Sequence, residues 1–257
     1  MKLLSIVLAG AGIIILGFIS KNKSVSQPKE TVQVNGSYAP VAVLELFTSE
    51  GCSSCPPADN LLPQLAKLDS NVIPLSFHVD YWNRLGWTDP FSSSEYSERQ
   101  RDYSRQFNLE SVYTPQLVIN GEHELVGSSR AKAESTIKNA LKEKATVRLT
   151  VENVKLNNNK LSFSVSSEGE FKKTDLLAAL VQKQAVMNVK AGENSGAKLS
   201  HTNVVRTFVK QTAASNNEFE LAIPENLQQN QWRLIVYVQQ KNDLKITGAL
   251  LYNPPQK

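Results

Sequence analysis

The sequence predicts an α/β domain over residues 40–143, followed by an all-β, sandwich-like domain over residues 145–253. Two observations indicate this division. In the first part, short apolar runs alternate with segments whose apolar residues recur at helical spacing, as strands and helices do when they alternate. In the second part, seven short runs of alternating apolar and polar residues are separated by turns containing Asn, Gly or Pro. That pattern is typical of a β-sandwich.

The first 39 residues precede both predicted domains. A lysine at position 2 is followed by a nearly unbroken apolar run from Leu3 to Ile19, as in secretory signals. We expect residues 1–20 to be a signal peptide or an uncleaved N-terminal anchor, because the run is close to the shortest membrane span. Residues 21–39 are polar and predict a linker. The protein is then extracytoplasmic, in the periplasm, in the cell envelope or secreted, and meets a membrane only through such an anchor.

The composition is that of an ordinary globular protein, with 41% hydrophobic and 20% charged residues. The net charge is +4, and basic residues are scattered among acidic ones. No basic run is interleaved with aromatic residues, so the sequence gives no support for nucleic-acid binding.

The two cysteines of the chain, Cys52 and Cys55, lie three positions apart. An apolar run, Val41 to Phe47, precedes them and predicts a strand covered on both faces. Apolar residues from Ala58 to Leu68 follow at helical spacing. A helix N-terminus favours a thiolate, because free backbone N–H groups and the helix dipole stabilise negative charge there. We therefore assign Cys52 as the attacking thiol and Cys55 as the resolving thiol.

Other uses of this cysteine pair remain open. A structural disulfide closing so small a loop would stabilise the fold by only about 2 kcal/mol, and a structural zinc site needs four ligands. A redox fold with inactive thiols is a further alternative. Cys52 and Cys55 would also suit a carrier of Cu(I), with His78 or His123 as additional ligands. Finally, the protein would be a non-catalytic interaction module if the β domain carried the function.

The rest of the first domain predicts further elements in order. They are a strand over Val72–Val79, an aromatic loop over Tyr81–Phe91, a helix opened by a capping box at Ser92 and Glu95, a strand over Leu117–Ile119, a hairpin turn at Asn120-Gly121 into a strand over Glu122–Val126, and a helix capped by Ser128 or Ser129.

This order resembles the thioredoxin fold. Phe47-Thr48 ahead of the cysteines is similar to glutaredoxin-type active sites, and Thr114-Pro115 before a strand resembles the cis-proline loop of the thioredoxin superfamily. The resemblance implies that the Thr114–Pro115 bond is cis and faces the cysteine pair, where Pro115 holds a substrate strand.

Three strings, FTSEGCSSCPPAD, HVDYW and YTPQLVING, together resemble a family of secreted thioredoxin-like bacterial proteins of unsettled function, over residues 41–142. Relative to thioredoxins, Gly51 and two serines replace the usual residues around the cysteines, Leu46 occupies the position of a buried Asp, and the aromatic loop has no counterpart. The leading hypothesis is an exported thiol–disulfide oxidoreductase that acts on protein or small-molecule thiols and disulfides. It needs no cofactor beyond its own disulfide, and its sulfurs must lie beside Pro115 without being sealed in the core.

Three polar residues lie near the predicted site, and two of them, Asp80 and Glu45, have two interpretations each. Asp80 ends a strand, where α/β sheets place their sites, so it is either the proton acceptor for Cys55 or a cap in the loop. His78 is expected to be a hydrogen-bonded core histidine. Glu45 lies within an apolar strand and is expected to pair with a cation such as Arg84 or to shuttle protons.

Two further segments are also ambiguous. Trp82 and Trp87 either line a groove for a peptide partner or pack the loop. Residues 192–196 and the run from His201 to Arg206 predict a hairpin loop and the following strand. That loop is either structural or in contact with the first domain near the cysteines.

Overall fold

An eight-stranded mixed sheet is the central element of this computed structural model, which describes residues 38–255. The predicted signal or anchor, and the linker up to residue 37, lie outside the described residues. Within the described part, no helix is long and apolar enough to cross a membrane.

The helices and strands are numbered in chain order. They are β1 (Ala42–Thr48), α1 (Pro56–Leu65), β2 (Val72–His78), α2 (Ser94–Gln106), β3 (Gln116–Ile119), β4 (His123–Val126), α3 (Arg130–Ala140), β5 (Val147–Asn157), β6 (Lys160–Gly169), β7 (Thr174–Asn188), β8 (Lys198–Thr212), β9 (Asn216–Ala222), β10 (Trp232–Gln240) and β11 (Ile246–Tyr252).

The large sheet joins strands from both predicted domains. Its order is β11-β10-β7-β8-β2-β1-β3-β4, and β5, β6 and β9 form a second, three-stranded sheet. β1 pairs with β2 in parallel and with β3 antiparallel. The predicted boundary at residues 143–145 falls between α3 and β5, but the sheet crosses it where β8 pairs with β2 at Val204 and Ser76.

β1 is covered on both faces, as its apolar sequence predicts. Successive side chains of a strand point to opposite faces. Leu44 and Leu46 belong to the core cluster shared with α1 and α3, whereas Val43 and Phe47 belong to the cluster shared with α2. The strand that leads to the cysteines is therefore held rigidly between two layers of helices.

The same alternation organises the C-terminal part. Leu180 of β7 and Val236 of β10 share a core cluster with Phe163 of the small sheet. Their strand neighbours Ala179 and Tyr237 belong to the cluster on the α2 side. The small sheet therefore packs against one face of the large sheet.

Two side-chain hydrogen bonds fasten β8 to β2. The amide nitrogen of Asn203 donates to the carbonyl oxygen of Pro74 at 2.8 Å, and the hydroxyl of Ser76 donates to the carbonyl oxygen of Thr202 at 2.8 Å. They fix the strand that carries His201 against the strand that leads to Asp80.

The predicted elements occur, with shifts at their ends. Each of the seven runs predicted in the C-terminal part overlaps a different one of the strands β5 to β11, three of them extending one residue beyond the strand. The capping box is wrong by one residue, because Ser93 caps α2 by accepting from the N–H of Glu95, while the hydroxyl of Ser92 donates to a loop carbonyl. Asn120 and Gly121 both have positive φ, as the predicted hairpin turn requires.

Candidate functional site

Cys52 and Cys55 form a disulfide at the N-terminus of α1. Cys55 is the residue that precedes the first helical turn, and prolines occupy the first two helical positions. Proline is tolerated there because its missing N–H has no partner within a helix at that position. The backbone N–H of Asp59 donates to the carbonyl oxygen of Cys55 at 3.1 Å, so Asp59 lies one helical turn beyond it.

The Thr114–Pro115 segment lies beside the disulfide, and its peptide bond is cis, as the resemblance implied. The hydroxyl of Thr114 donates to the sulfur of Cys52 at 3.2 Å, and the indole N–H of Trp82 donates to the Thr114 hydroxyl at 2.8 Å. The hydroxyl of Ser54 donates to the carbonyl oxygen of Thr114 at 3.3 Å. Four of the predicted site residues, the two cysteines, Thr114 and Pro115, therefore lie together.

The cysteines are not reachable from solvent in this structure. Both have an exposed fraction of 0%, whereas Ser53 and Ser54 between them are exposed. The sulfurs thus meet one condition set by the sequence, since they lie beside Thr114 and Pro115. They do not meet the other, because they are covered. Attack on this disulfide requires the covering groups to move.

The loop at residues 189–197, which joins β7 to β8, is bound to the backbone of the disulfide turn. The side-chain nitrogen of Asn194 donates to the carbonyl oxygens of Glu50 and Cys52, each at 2.9 Å. The carboxylate of Glu193 accepts from the backbone N–H of Ser53 at 3.1 Å. Of the two interpretations of this loop, contact near the cysteines is the one found.

A buried group of acids and one imidazole lies under the disulfide turn. The ring of His201, on β8, lies between two carboxylates: Nε2 is 3.4 Å from Glu50 Oε1, and Nδ1 is 3.5 Å from Asp59 Oδ1. Burial acts to lower the pKa of His201, but the carboxylates of Asp59 and Glu50 raise it to about 10. His201 is therefore protonated at neutral pH.

The second oxygen of each carboxylate is anchored by a neutral donor. The indole N–H of Trp87 donates to Glu50 Oε2 at 2.8 Å, and the hydroxyl of Thr48 donates to Asp59 Oδ2 at 3.1 Å. Both tryptophans of the aromatic loop therefore hold residues of the site, Trp82 through Thr114 and Trp87 through Glu50.

His78 extends this group. Its Nδ1 lies 2.7 Å from Asp89 Oδ2, and its ring packs edge-on against that of His201 with centroids 4.6 Å apart. Burial acts to raise the pKa of Asp89, but the charge and hydrogen bond of His78 and two backbone N–H groups hold it below its usual value. His78 is thus a hydrogen-bonded core histidine, as expected.

Asp80 lies elsewhere. Its carboxylate accepts from the hydroxyl of Ser97 on α2 at 2.6 Å, and its N–H donates to the same hydroxyl at 3.1 Å. This matches the loop-capping interpretation. Asp59, and not Asp80, is the carboxylate one turn from Cys55.

Glu45 pairs with a cation, but the expected partner, Arg84, is wrong. Arg99 of α2 donates to both carboxylate oxygens of Glu45, at 2.7 and 3.0 Å, and the hydroxyl of Tyr237 donates at 2.6 Å. The guanidinium lies 5.1 to 5.7 Å from the centroids of four aromatic rings. Arg84 instead donates to the carbonyl oxygen of Tyr81.

The two histidines considered as copper ligands, His78 and His123, are in different environments. Nδ1 of His78 contacts Asp89, and His123 is exposed on β4. Within residues 38–255, no group of three or more His, Cys, Asp or Glu side chains is arranged to hold a metal ion.

Sequence reasoning missed the buried acid–base group. Glu50 and Asp59 flank the cysteines within the motif at two positions before Cys52 and four after Cys55, and that spacing was a usable signal. His201 had only a weak signal, as one of three histidines in the chain. Nothing local indicates that β8 would pair with β2 and deliver it to the site.

Comparison with solved structures finds the same overall arrangement elsewhere. The crystal structure of protein AGR_C_4864 from Agrobacterium tumefaciens is 27% identical, with a TM-score of 0.66, and the match covers 86% of this chain and 98% of that chain. The structure titled HBP35 of Porphyromonas gingivalis is 15% identical, with a TM-score of 0.60, over 85% of this chain and 76% of that one. No curated protein matches the chain. A family model described as "Protein of unknown function (DUF1223)" matches residues 43–239, which is more than half of the chain, and the chain therefore belongs to this family.

Proposed function

We propose that the protein is an extracytoplasmic thiol–disulfide oxidoreductase with a thioredoxin-like N-terminal part. The observation that carries the proposal is the Cys52–Cys55 disulfide at the start of α1, with the hydroxyl of Thr114 donating to the Cys52 sulfur beside cis-Pro115. The order of β1, α1, β2, α2, β3, β4 and α3 supports the thioredoxin-like assignment. The apolar run from Leu3 to Ile19 supports export.

The exchange proceeds through a mixed disulfide. When the protein acts as a reductant, the Cys52 thiolate attacks one sulfur of a substrate disulfide, and the other substrate sulfur leaves as a thiolate. The Cys55 thiol then loses its proton, and the resulting thiolate attacks the Cys52 sulfur. The Cys52–Cys55 bond forms, the mixed disulfide breaks, and two electrons have passed to the substrate. Oxidation of a substrate dithiol is the same sequence reversed.

Two features of the site suit Cys52 to the role of attacking thiol. The hydroxyl of Thr114 is aimed at its sulfur, and hydrogen bonding to a charged group favours that charged form. The dipole of α1 places partial positive charge at its N-terminus, beside the cysteines. Both stabilise the thiolate, which is the nucleophilic species.

The covered state of the disulfide adds a requirement. Asn194 and Glu193 bind the backbone of the disulfide turn, and they belong to one loop between two strands. Displacement of this loop removes contacts from the Cys52 side without breaking the sheet. The proposal therefore includes opening of residues 189–197 before exchange.

The test is trapping of the mixed disulfide. A Cys55→Ser variant cannot resolve it, so the reduced variant treated with oxidised glutathione is expected to keep one glutathione on Cys52, detected by mass spectrometry. The Cys52→Ser variant is the matched control and is expected to gain much less. If Cys55→Ser acquires no adduct at Cys52, the proposal is wrong. The reduction potential of the Cys52–Cys55 couple then gives the direction of exchange in the cell.

A further inference from the structure

The acid–base group formed by Glu50, Asp59 and His201 is not used in the exchange as described above. Its polar atoms are unusual for a protein interior. Glu50 Oε1, Asp59 Oδ1 and both ring nitrogens of His201 are buried and lack a hydrogen bond, although each lies 3.4 or 3.5 Å from an opposite partner. Buried polar atoms are nearly always hydrogen-bonded, so a cluster that is not calls for a functional explanation.

Asp59 is placed to serve Cys55. The two residues are four apart at the start of α1, and side chains at that spacing share a face of a helix. Helical side chains also lean toward the N-terminus, so the Asp59 side chain lies over the turn that carries Cys55. Thr48 holds one carboxylate oxygen and leaves Oδ1 without a hydrogen-bond donor.

The oxidised state of the cysteine pair explains why Asp59 Oδ1 has no hydrogen-bond donor. In the disulfide, neither sulfur carries a proton. On reduction, Cys55 gains an S–H group and becomes a donor one turn from an unoccupied acceptor. Cys55 must lose that proton again before it can attack, because the thiolate is the reactive form.

His201 is placed to act on Asp59. Charged or titratable groups reach its ring from three other elements: Glu50 from the turn after β1, Asp59 from α1, and His78 from β2. The two carboxylates approach opposite nitrogens of the ring, so a protonated His201 attracts both by charge and orients Asp59 without a hydrogen bond to Oδ1. The side chain comes from β8, in the C-terminal part of the chain.

We infer that Asp59 accepts the proton of Cys55 during resolution and that His201 is a positioning residue that holds Asp59 for this transfer. In the step, the Cys55 S–H bond breaks and the proton passes to an Asp59 carboxylate oxygen. The Cys55 thiolate attacks the Cys52 sulfur, and the substrate sulfur leaves as a thiolate. On the reverse path, Asp59 returns the proton. The inference rests on the proposed function and gives the C-terminal β part a role in it.

The experiment uses the reduced full-length protein and 5,5′-dithiobis(2-nitrobenzoate). Attack by Cys52 releases one coloured thiolate and leaves a mixed disulfide. Resolution by Cys55 releases a second. The first phase tests whether Cys52 exchanges at all, and the rate of the second phase tests the inference.

Asp59→Asn preserves shape and removes the acceptor. Positioned acid–base groups contribute about 10²–10⁴-fold to proton-transfer steps, so we expect the second phase to slow at least tenfold at neutral pH with the first phase little changed. In the variant, the rate should rise about tenfold per pH unit, because solvent alone then accepts the proton. In the wild-type protein, it should vary far less with pH. His123→Asn, at an exposed position of β4, is the control and should behave as wild type.

The role of His201 is tested by two amide variants. His201→Asn keeps a donor near the position of Nδ1, which faces Asp59, whereas His201→Gln keeps one near Nε2, which faces Glu50. We expect His201→Asn to retain more of the second-phase rate than His201→Gln, with both retaining the first phase. A residue that merely stabilises the fold would not produce this order.

The outcomes separate the two proposals. No first phase in the wild-type protein would overturn the proposed function and the inference with it. A first phase followed by an unaltered second phase in folded Asp59→Asn would overturn the inference alone. If Asp59→Asn does not fold, as judged by circular dichroism, the wild-type pH profile decides: a second phase rising tenfold per pH unit would also overturn it.

Discussion

The side-chain nitrogen of Asn194 donates a hydrogen bond of 2.9 Å to the carbonyl oxygen of Cys52, 142 positions earlier in the chain. The same nitrogen donates to the carbonyl oxygen of Glu50 at 2.9 Å. One amide therefore ties the β7–β8 loop to both sides of Gly51, whose added Cβ would lie 3.1 Å from Cβ of Trp82. The disulfide turn is enclosed between this loop and the aromatic loop.

Asn194→Ala is expected to speed reduction of the disulfide. Each hydrogen bond contributes about 0.5–1.5 kcal/mol net, so losing both should raise the open population by about 5- to 150-fold. The rate of reduction by dithiothreitol, followed by release of free thiols, should rise by a similar factor. Asn226→Ala, in an exposed turn after β9, is the matched control and should leave the rate unchanged. Equal rates for all three proteins would mean that the loop does not limit access.

Thr114→Val should destabilise the thiolate form of Cys52 relative to the thiol. The substitution keeps the branched shape and removes the hydroxyl that donates to the sulfur and accepts from Trp82. A hydrogen bond to a charged group contributes about 1.5–3 kcal/mol, so the pKa of the Cys52 thiol should rise by about one to two units. The pH dependence of alkylation by iodoacetamide in the reduced protein measures it. Thr114→Ser keeps the hydroxyl and should retain most of the wild-type value, and a Val variant with the same profile would contradict this role.

Much of the fold follows from local sequence patterns. β1 could be predicted because apolar residues occupy both of its faces, and the β3–β4 turn because Asn120 and Gly121 tolerate positive φ. The pairing of β8 with β2 could not be predicted, because it consists of a single registered pair, two side-chain hydrogen bonds and packing between side chains far apart in the sequence, such as Phe77 and Phe208. Neither strand carries a local signal for such a long-range contact.

Some residues of the site could likewise be predicted from local sequence, and others could not. Cys52 and Pro115 were recognisable because their neighbours in sequence carry the motif. Asp80 was a reasonable proton acceptor from its place at a strand end, but α2 supplies Ser97 as its partner. His201 enters from a strand that begins far along the chain, so only the assembled sheet brings it to Asp59.

Removing one partner of the buried Glu45–Arg99 pair should lower the free energy of unfolding more than replacing both partners by apolar residues. Burial acts to lower the pKa of Arg99, but the negative charge of Glu45 outweighs this effect and raises it, so Arg99 stays charged. Removing one partner leaves a buried charge, and Arg99→Met should lower the free energy of unfolding by about 3–5 kcal/mol.

The double variant Glu45→Met with Arg99→Met is expected to recover part of that loss, because no unpaired charge remains. Urea denaturation measures both. The exposed pair Lys160–Glu220 provides the comparison, since Lys160→Met should cost less than about 1 kcal/mol. A double variant less stable than Arg99→Met would contradict the expected coupling.

The stability of the protein should depend on pH through His201. Burial opposes its charge, but Asp59 and Glu50 raise its pKa to about 10, from about 6.5 in the unfolded chain. A raised pKa means that the folded state holds the proton more tightly, so this stabilisation is complete below about pH 6.5 and is lost as the pH rises towards about 10. His201→Gln cannot take up the proton. The difference in free energy of unfolding between wild type and His201→Gln, measured in urea at about pH 6, 8 and 10, should therefore shrink as the pH rises. A difference that stays constant, or grows, across this range would mean that His201 is neutral in the folded protein and that Glu50 and Asp59 do not share a proton with it.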